Sequence, residues 1–451
     1  MSITSVSPID GRYESITREL SPYFSEFALI KNRVKVEVEY FVALSKYTVF
    51  KIKISEQEIN FLHNLVISFG EREAMEIKEI EKTTNHDVKA VEYWIKDKIK
   101  GTKMEKYSEF VHFALTSEDI NNISFTLCYR EGINNSALPY LQKVLSHLTT
   151  LSKDNSVQPM LALTHGQSAT PTTFGKEIGV FVLRLQRQMQ ILENIKFQGK
   201  FGGATGTWSA HMIAYLDFDW IGFANEFVSS FGLEFCPLTT QIVPTDSLCE
   251  SYDCVRRINN ILVDLCQDIW MYVERGILSQ KKKEGEVGSS AMPHKINPIN
   301  FENAEGNLQL ANSIFTELSR QLPVSRMQRD LTGSTVIRNQ GVPVAHSIIA
   351  YSNLLKGLGR ISVNNTKMSS ELESHPEVLA EAIQTYLRSV NYPNAYEVLK
   401  KLTRGSEITL EGIREFVDSL EIDEIDKKKL LDLLPSTYIG LSQKLVDEFV
   451  K

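Results

Sequence analysis

Apolar residues recur along most of the chain at helical rather than alternating spacing, and the clearest case lies near its middle. Leu248, Val255, Leu262 and Ile269 stand seven residues apart, and Ile258, Leu265 and Tyr272 follow the last three of them at a distance of three. Two such series make one seam, the pattern of helices packed lengthwise. From Asp246 to about Leu278 there is no proline, and Gly276 is the only glycine, so one long helix is predicted, with Thr245 or Asp246 as its N-cap. Further helices are predicted near residues 174–195, 302–322 and 344–358. Several helices of roughly thirty ångströms or more favour a lengthwise bundle. The expected fold class is therefore all-α, in three helical regions: an N-terminal one over 1–105, a central long-helix bundle over 106–358, and a C-terminal one over 359–451. The first is more charged, with shorter helices, and the last ends in short amphipathic segments. No internal repeat or low-complexity tract stands out.

Composition narrows the class. With 451 residues, 42% of them apolar, the chain can bury a large core and exceeds the usual size of one domain. A formal charge of −7 and the lack of a basic stripe argue against a nucleic-acid partner. No uninterrupted apolar run reaches about 20 residues, so no membrane span is expected. The first ten residues have neither a basic start nor an apolar core, so a secretory signal is not expected. Five cysteines without CxxC spacing suggest neither a disulfide framework nor a zinc site, and a reduced cytoplasmic setting fits best. Cys249 and Cys266 are expected to pack inside helices. GxGxxG, Walker A and HExxH patterns are absent, so no cofactor or metal is expected.

The helical pattern breaks most conspicuously between residues 284 and 298. Glu284-Gly285-Glu286-Val287-Gly288 leads into Ser289-Ser290-Ala291-Met292-Pro293-His294-Lys295-Ile296-Asn297-Pro298. Prolines bar a regular helix and glycines free the backbone, so a shaped loop is predicted. By composition alone a polar connection is the ordinary reading. Lys295 and Asn297 could nevertheless close over a small anion and bring a serine to a reacting carbon.

The order of these residues resembles the signature of the fumarase/aspartase superfamily, lyases that release fumarate from a substituted succinate. His294 resembles the adenylosuccinate lyase branch, although lactonizing enzymes of the superfamily can also carry histidine there. Leu163-Thr164-His165-Gly166-Gln167 resembles a second signature, with Leu163 and Ser168 standing where many relatives carry Arg and Pro. Thr116-Ser117-Glu118-Asp119-Ile120-Asn121-Asn122 resembles a third block, and Thr-x-x-Asp is also a helix-capping pattern. Asp10-Gly11-Arg12-Tyr13, Thr84-Asn85-His86-Asp87-Val88-Lys89, Gln241 and the stretch from Arg326 to Arg338 complete the resemblance, which is nearest to the bacterial type.

Elimination of fumarate needs a base at the carbon beside a carboxylate, fixed positive charge for the aci-carboxylate, and an acid for the departing nitrogen. The resemblance implies His165 as the acid, and an imidazole titrates in a suitable range. It also implies Ser289 as the base, which requires cationic and amide donors such as Lys295 to make the hydroxyl acidic. Substrate ligands implied are Ser290, Lys295, Asn297, Asn303, Thr116, Ser117 and Gln241, the hydroxyls standing at an anion-attracting helix start. Arg12, Tyr13, Asn85, His86 and Asp87 are the implied nucleotide contacts. Arg329, Ser334 and Arg338 match phosphate-binding positions, and guanidinium groups suit phosphate. The substrates implied are purine ribotides: adenylosuccinate, giving AMP, and the succinyl-carboxamide ribotide SAICAR, giving AICAR, each with fumarate, by carbon–nitrogen β-elimination. A homotetramer with sites at subunit junctions is implied as well. Argininosuccinate lyase, or another fumarate-releasing lyase, is the alternative within the superfamily. Outside it stands an idle structural homologue, which has no physical need for His165, Ser289 and Lys295 together.

Overall fold

A computed structural model describes residues 3–281, 292, 295–403 and 408–451. Helices dominate them, and the chain divides into two compact units. The first takes residues 1–141, 188–260 and 306–352; the second takes 142–187, 261–305 and 353–451.

The first unit is organised by the helix Ser117–Gly132, which is buried without a break from Asp119 to Tyr129. A helix buried all round must satisfy its polar side chains internally. Ser124 Oγ donates to the Ile120 carbonyl (2.8 Å) and Thr126 Oγ1 to the Asn122 carbonyl (2.7 Å). Asn122 donates to the Lys200 carbonyl and accepts the Lys200 N–H, at 3.0 and 2.8 Å. Against this helix packs Glu26–Ser45, whose Val34, Val38 and Phe41 are fully buried. An aromatic cluster that includes Tyr40, Phe50, Phe201, Phe223 and Phe227 closes the same core.

The predicted long helices are present, with ends moved by a few residues: Phe174–Glu193, Asp246–Glu274, Ile299–Gln321 and Gly341–Leu358. The second of these stops short of Leu278. Gly276 turns the chain at φ +73°, and Leu278–Gln280 then pairs antiparallel with Ile361–Val363. The heptad seam is buried at every position named for it. All five cysteines are free thiols, with Cys249 and Cys266 buried in Asp246–Glu274.

In the second unit the helical pattern is interrupted by an antiparallel hairpin, Pro159–Thr164 with Gln167–Thr173. The helical expectation for this part of the chain did not include it. Toward the C-terminus, Leu379, Ile383, Leu387, Ile413, Val417 and Leu430 form a core of their own under short helices.

Candidate active site

Much of the candidate chemistry in the first unit is built on the start of Ser117–Gly132. The Asp119 carboxylate accepts the Thr116 N–H at 2.8 Å, so the capping pattern read in the sequence is realised from its acidic end. The same carboxylate accepts from Gly202 and Gly203 N–H and pairs with Lys200 Nζ at 2.9 Å. Both charged side chains of that pair are fully buried. Asp119 thus fixes the helix start to the 200–203 segment and leaves Thr116 and Ser117 at the half-buried end.

Ser117 Oγ stands 3.4 Å from His86 Nε2. His86 is itself a helix N-cap, its Nδ1 accepting the Lys89 N–H at 3.1 Å. That bond places the proton of a neutral ring on Nε2, so the imidazole donates toward Ser117. Asn85 precedes it in the left-handed region (φ +49°), ending one helix before His86 starts the next. Asp87 binds two arginines, Arg33 at 2.6 Å and Arg338 at 3.1 Å, and Arg338 also reaches Glu26 at 3.3 Å. Burial works to raise Asp87, but Arg33, the Val88 N–H and Arg338 outweigh it and hold the carboxyl below its ordinary value.

Arg329 gathers a second group. Its guanidinium donates to Gln241 Oε1 (3.2 Å) and Ser334 Oγ (3.0 Å) and lies 3.6 Å from the Glu118 carboxylate. Gln241 is held in turn through Nε2 to the Ala204 carbonyl. Arg329, Ser334 and Glu118 line a cleft whose apolar wall includes Phe125, Val243 and Leu248. Burial pushes the Glu118 carboxyl up to about 7, against the pull of Arg329 and Lys200. Arg12 is exposed at the N-terminal turn, its guanidinium 5.9 Å from the Tyr13 ring centre.

In the second unit, Thr164 pairs with Gln167, leaving His165-Gly166 as a two-residue hairpin loop. Both residues have positive φ, +54° and +74°, as a type I′ turn requires. His165 is therefore exposed at the hairpin tip, and Leu163 and Ser168 are cross-strand partners one step behind it. Lys295 is exposed, its N–H bonded to the Met292 carbonyl, and Asn297 is half-buried before the helix that carries Asn303. Ser289, Ser290 and His294 lie outside the described residues.

The sequence does not mark Glu118, Lys200 or Arg33 as site residues. Glu118 and Asp119 stood in a block already singled out, but only the capping role of Asp119 was legible. Arg33 carries a signal in hindsight, a charge beside Leu29, Ile30 and Val34 on a buried face. Among the described residues no cluster of three or more His, Cys, Asp or Glu could hold a metal ion. No described helix is long and apolar enough to cross a membrane.

Residues 11–311 match a lyase family, and residues 325–439 match the adenylosuccinate lyase C-terminal family. Adenylosuccinate lyase of Legionella pneumophila (strain Corby) is 47% identical over 451 residues, covering 99% of each chain. That of Escherichia coli (strain K12) is 45% identical over 450 residues, with 99% of each covered. The chain belongs to the adenylosuccinate lyase family. The fold is shared more widely. Fumarate lyase from Mesorhizobium sp. BNC1 superposes with a TM-score of 0.75 at 18% identity, over 96% of this chain and 97% of that one. The β-carboxy-cis,cis-muconate cycloisomerase of Acinetobacter calcoaceticus sp. ADP1 does so at 0.73 and 17%, over 97% and 99%. The adenylosuccinate lyase relatives thus align end to end, with the Arg329 and Arg338 clusters inside the matched residues.

Proposed function

We propose that the chain cleaves adenylosuccinate to AMP and fumarate, and SAICAR to AICAR and fumarate. The observation that carries this reading is the end-to-end match at 45–47% identity to adenylosuccinate lyases. Arg329 and Ser334 lining one cleft, with Gln241 hydrogen-bonded to the same guanidinium, support a phosphorylated substrate.

In the reaction proposed, Ser289 Oγ, as the alkoxide, takes the proton from the carbon beside a carboxylate. The electron pair left behind moves into that carboxylate, where Lys295, Asn297 and the Thr116/Ser117 helix start stabilise the charge. The carbon–nitrogen bond then breaks, the double bond of fumarate forms, and His165 protonates the leaving nitrogen. His86 orients the group bound at Ser117. Arg12, Tyr13, Asn85, Asp87, Arg329, Ser334 and Arg338 bind the ribotide, Asp87 chiefly by aiming Arg338. Asn303 and Ser290 complete the succinyl side.

The exposed hairpin tip that carries His165 supports sites at the subunit junctions of a homotetramer. Three helical regions, 1–105, 106–358 and 359–451, and a cytoplasmic location complete the proposal. Incubation with adenylosuccinate is expected to release fumarate and AMP in equal amounts, and argininosuccinate to release none. Fumarate from argininosuccinate alone would overturn the assignment.

A further inference from the structure

Three carboxylates close to Arg329 and Arg338 stand where a phosphate would be repelled, and two of them have an evident alternative occupation. Asp87 and Glu26 are engaged by arginine, Asp87 twice over. Glu118 differs. It lies in the cleft itself, part-buried, at 3.6 Å from a guanidinium that makes its hydrogen bonds to Gln241 and Ser334. The separation is an ion pair without a short hydrogen bond, and a phosphate oxygen seeking Arg329 and Ser334 must come within reach of this carboxyl. As an anion Glu118 would oppose a phosphate; as an acid it would donate a hydrogen bond to one.

We infer that Glu118 is a specificity-determining residue of the Arg329–Ser334 subsite, holding Arg329 while the subsite is unoccupied and taking up one proton when a phosphate monoester binds. The proton comes from solvent and sits on the carboxyl oxygen facing the phosphate; no covalent bond forms or breaks. Arg329 then exchanges its ion pair with Glu118 for one with the phosphate. Several charges bear on this titration: Arg329 from the 326–338 segment, Lys200 from the 198–203 segment, Asp119 from the same helix, and Arg33 from Glu26–Ser45. Asp330 also lines the cleft. Burial already brings the Glu118 carboxyl to about 7, where one proton costs little to add. A dephosphorylated nucleoside offers no reason for that uptake, so the device favours ribotides over ribosides while Glu118 holds its proton, and the preference is lost as pH rises above that titration.

This inference rests on the reading of Arg329 and Ser334 as phosphate ligands. The test is calorimetric titration of the full-length protein with AMP, and with adenosine, in buffers of different ionisation enthalpy between pH 7 and 9. AMP is expected to bind with net proton uptake, its affinity falling about tenfold per pH unit above the Glu118 titration. In Glu118→Gln that uptake is expected to vanish and the affinity to become flat with pH. A merely structural glutamate would change affinity without changing the proton count. Equal proton uptake in the two proteins, or none in the unmodified one, overturns the inference. Arg329→Gln separates the two claims. If it leaves AMP affinity intact, the phosphate reading itself falls. If it weakens AMP and spares adenosine while Glu118→Gln keeps the uptake, only the role of Glu118 falls. Should Glu118→Gln not fold, Glu118→Asp, with a shorter reach, is expected to shift the pH at which uptake occurs.

Discussion

Two demands meet on His165. Its backbone occupies the first position of a two-residue turn at φ +54°, where most side chains are strained. Its imidazole is the proposed proton donor. Asparagine satisfies the first demand better than histidine does, and the second not at all. His165→Asn is therefore expected to keep or slightly raise the thermal midpoint while kcat falls by about 10²–10⁴. Near-normal kcat in a folded variant would remove His165 as the acid. A second residue-scale test concerns the Asp119–Lys200 pair. Removing one partner of a fully buried pair leaves an uncompensated charge, a loss of about 3–5 kcal/mol. Asp119→Ala also deprives three backbone N–H groups of an acceptor. Denaturant unfolding at fixed protein concentration should show at least that loss, and a change under about 1 kcal/mol would contradict the keystone role. Neither role of Asp119 beyond capping could be read in the sequence, because its partner is eighty-one residues away and no local pattern marks Lys200.

The long helices were legible as elements, because periodic burial leaves its mark on every seventh residue and the seam from Leu248 to Ile269 is buried throughout. Helix ends were less so. Gly276, read as tolerated inside the helix, instead turns the chain in a left-handed conformation. The hairpin was less legible: His165-Gly166 is not one of the strong two-residue turn pairs, and only the second strand, Gln167–Thr173, is rich in the β-branched threonine that marks strands. The hairpin leads directly into Phe174–Glu193, and Gly175 marks how tightly. A Cβ on Gly175 would lie 2.3 Å from the Ser152 carbonyl oxygen and 2.6 Å from backbone atoms of Asn155 and Ser156. Helix propensity alone favours alanine over glycine by about 1 kcal/mol. Overpacking against backbone costs about 1–3 kcal/mol and should win. Gly175→Ala is thus expected to lower the thermal midpoint, and a rise would show that the Leu138–Asp154 helix end can retreat.

At the scale of the whole molecule the charge balance sets how stability responds to pH. Burial, followed by Asp264 and Glu177, pushes Asp268 up to about 6. A carboxyl raised on folding keeps its proton while the unfolded chain, near about 3.9, has released it. Stability is therefore lost as pH rises from about 4 to about 6 and stays lost above that. Asp268→Asn should raise the thermal midpoint at pH 8 by roughly 2–4 °C, the effect of about 1 kcal/mol in units of this size, and give no gain at pH 3. A gain independent of pH would assign the effect to packing. Assembly is the remaining question at this scale. Val180 and Leu183 lie three residues apart on Phe174–Glu193, each 43% exposed in the single chain. Large side chains on one face of a long helix gain little by facing water, and the proposed tetramer gives them a partner. A charge placed there would be unpaired at an apolar contact, at a cost of several kcal/mol. Leu183→Asp is accordingly expected to shift the mass measured by light scattering from tetramer to smaller species. If sites are completed at subunit junctions, fumarate release should fall with the tetramer fraction and recover at high protein concentration. A variant that stayed tetrameric would place the interface on other helices, and a dissociated variant with full activity would show that one chain carries a complete site.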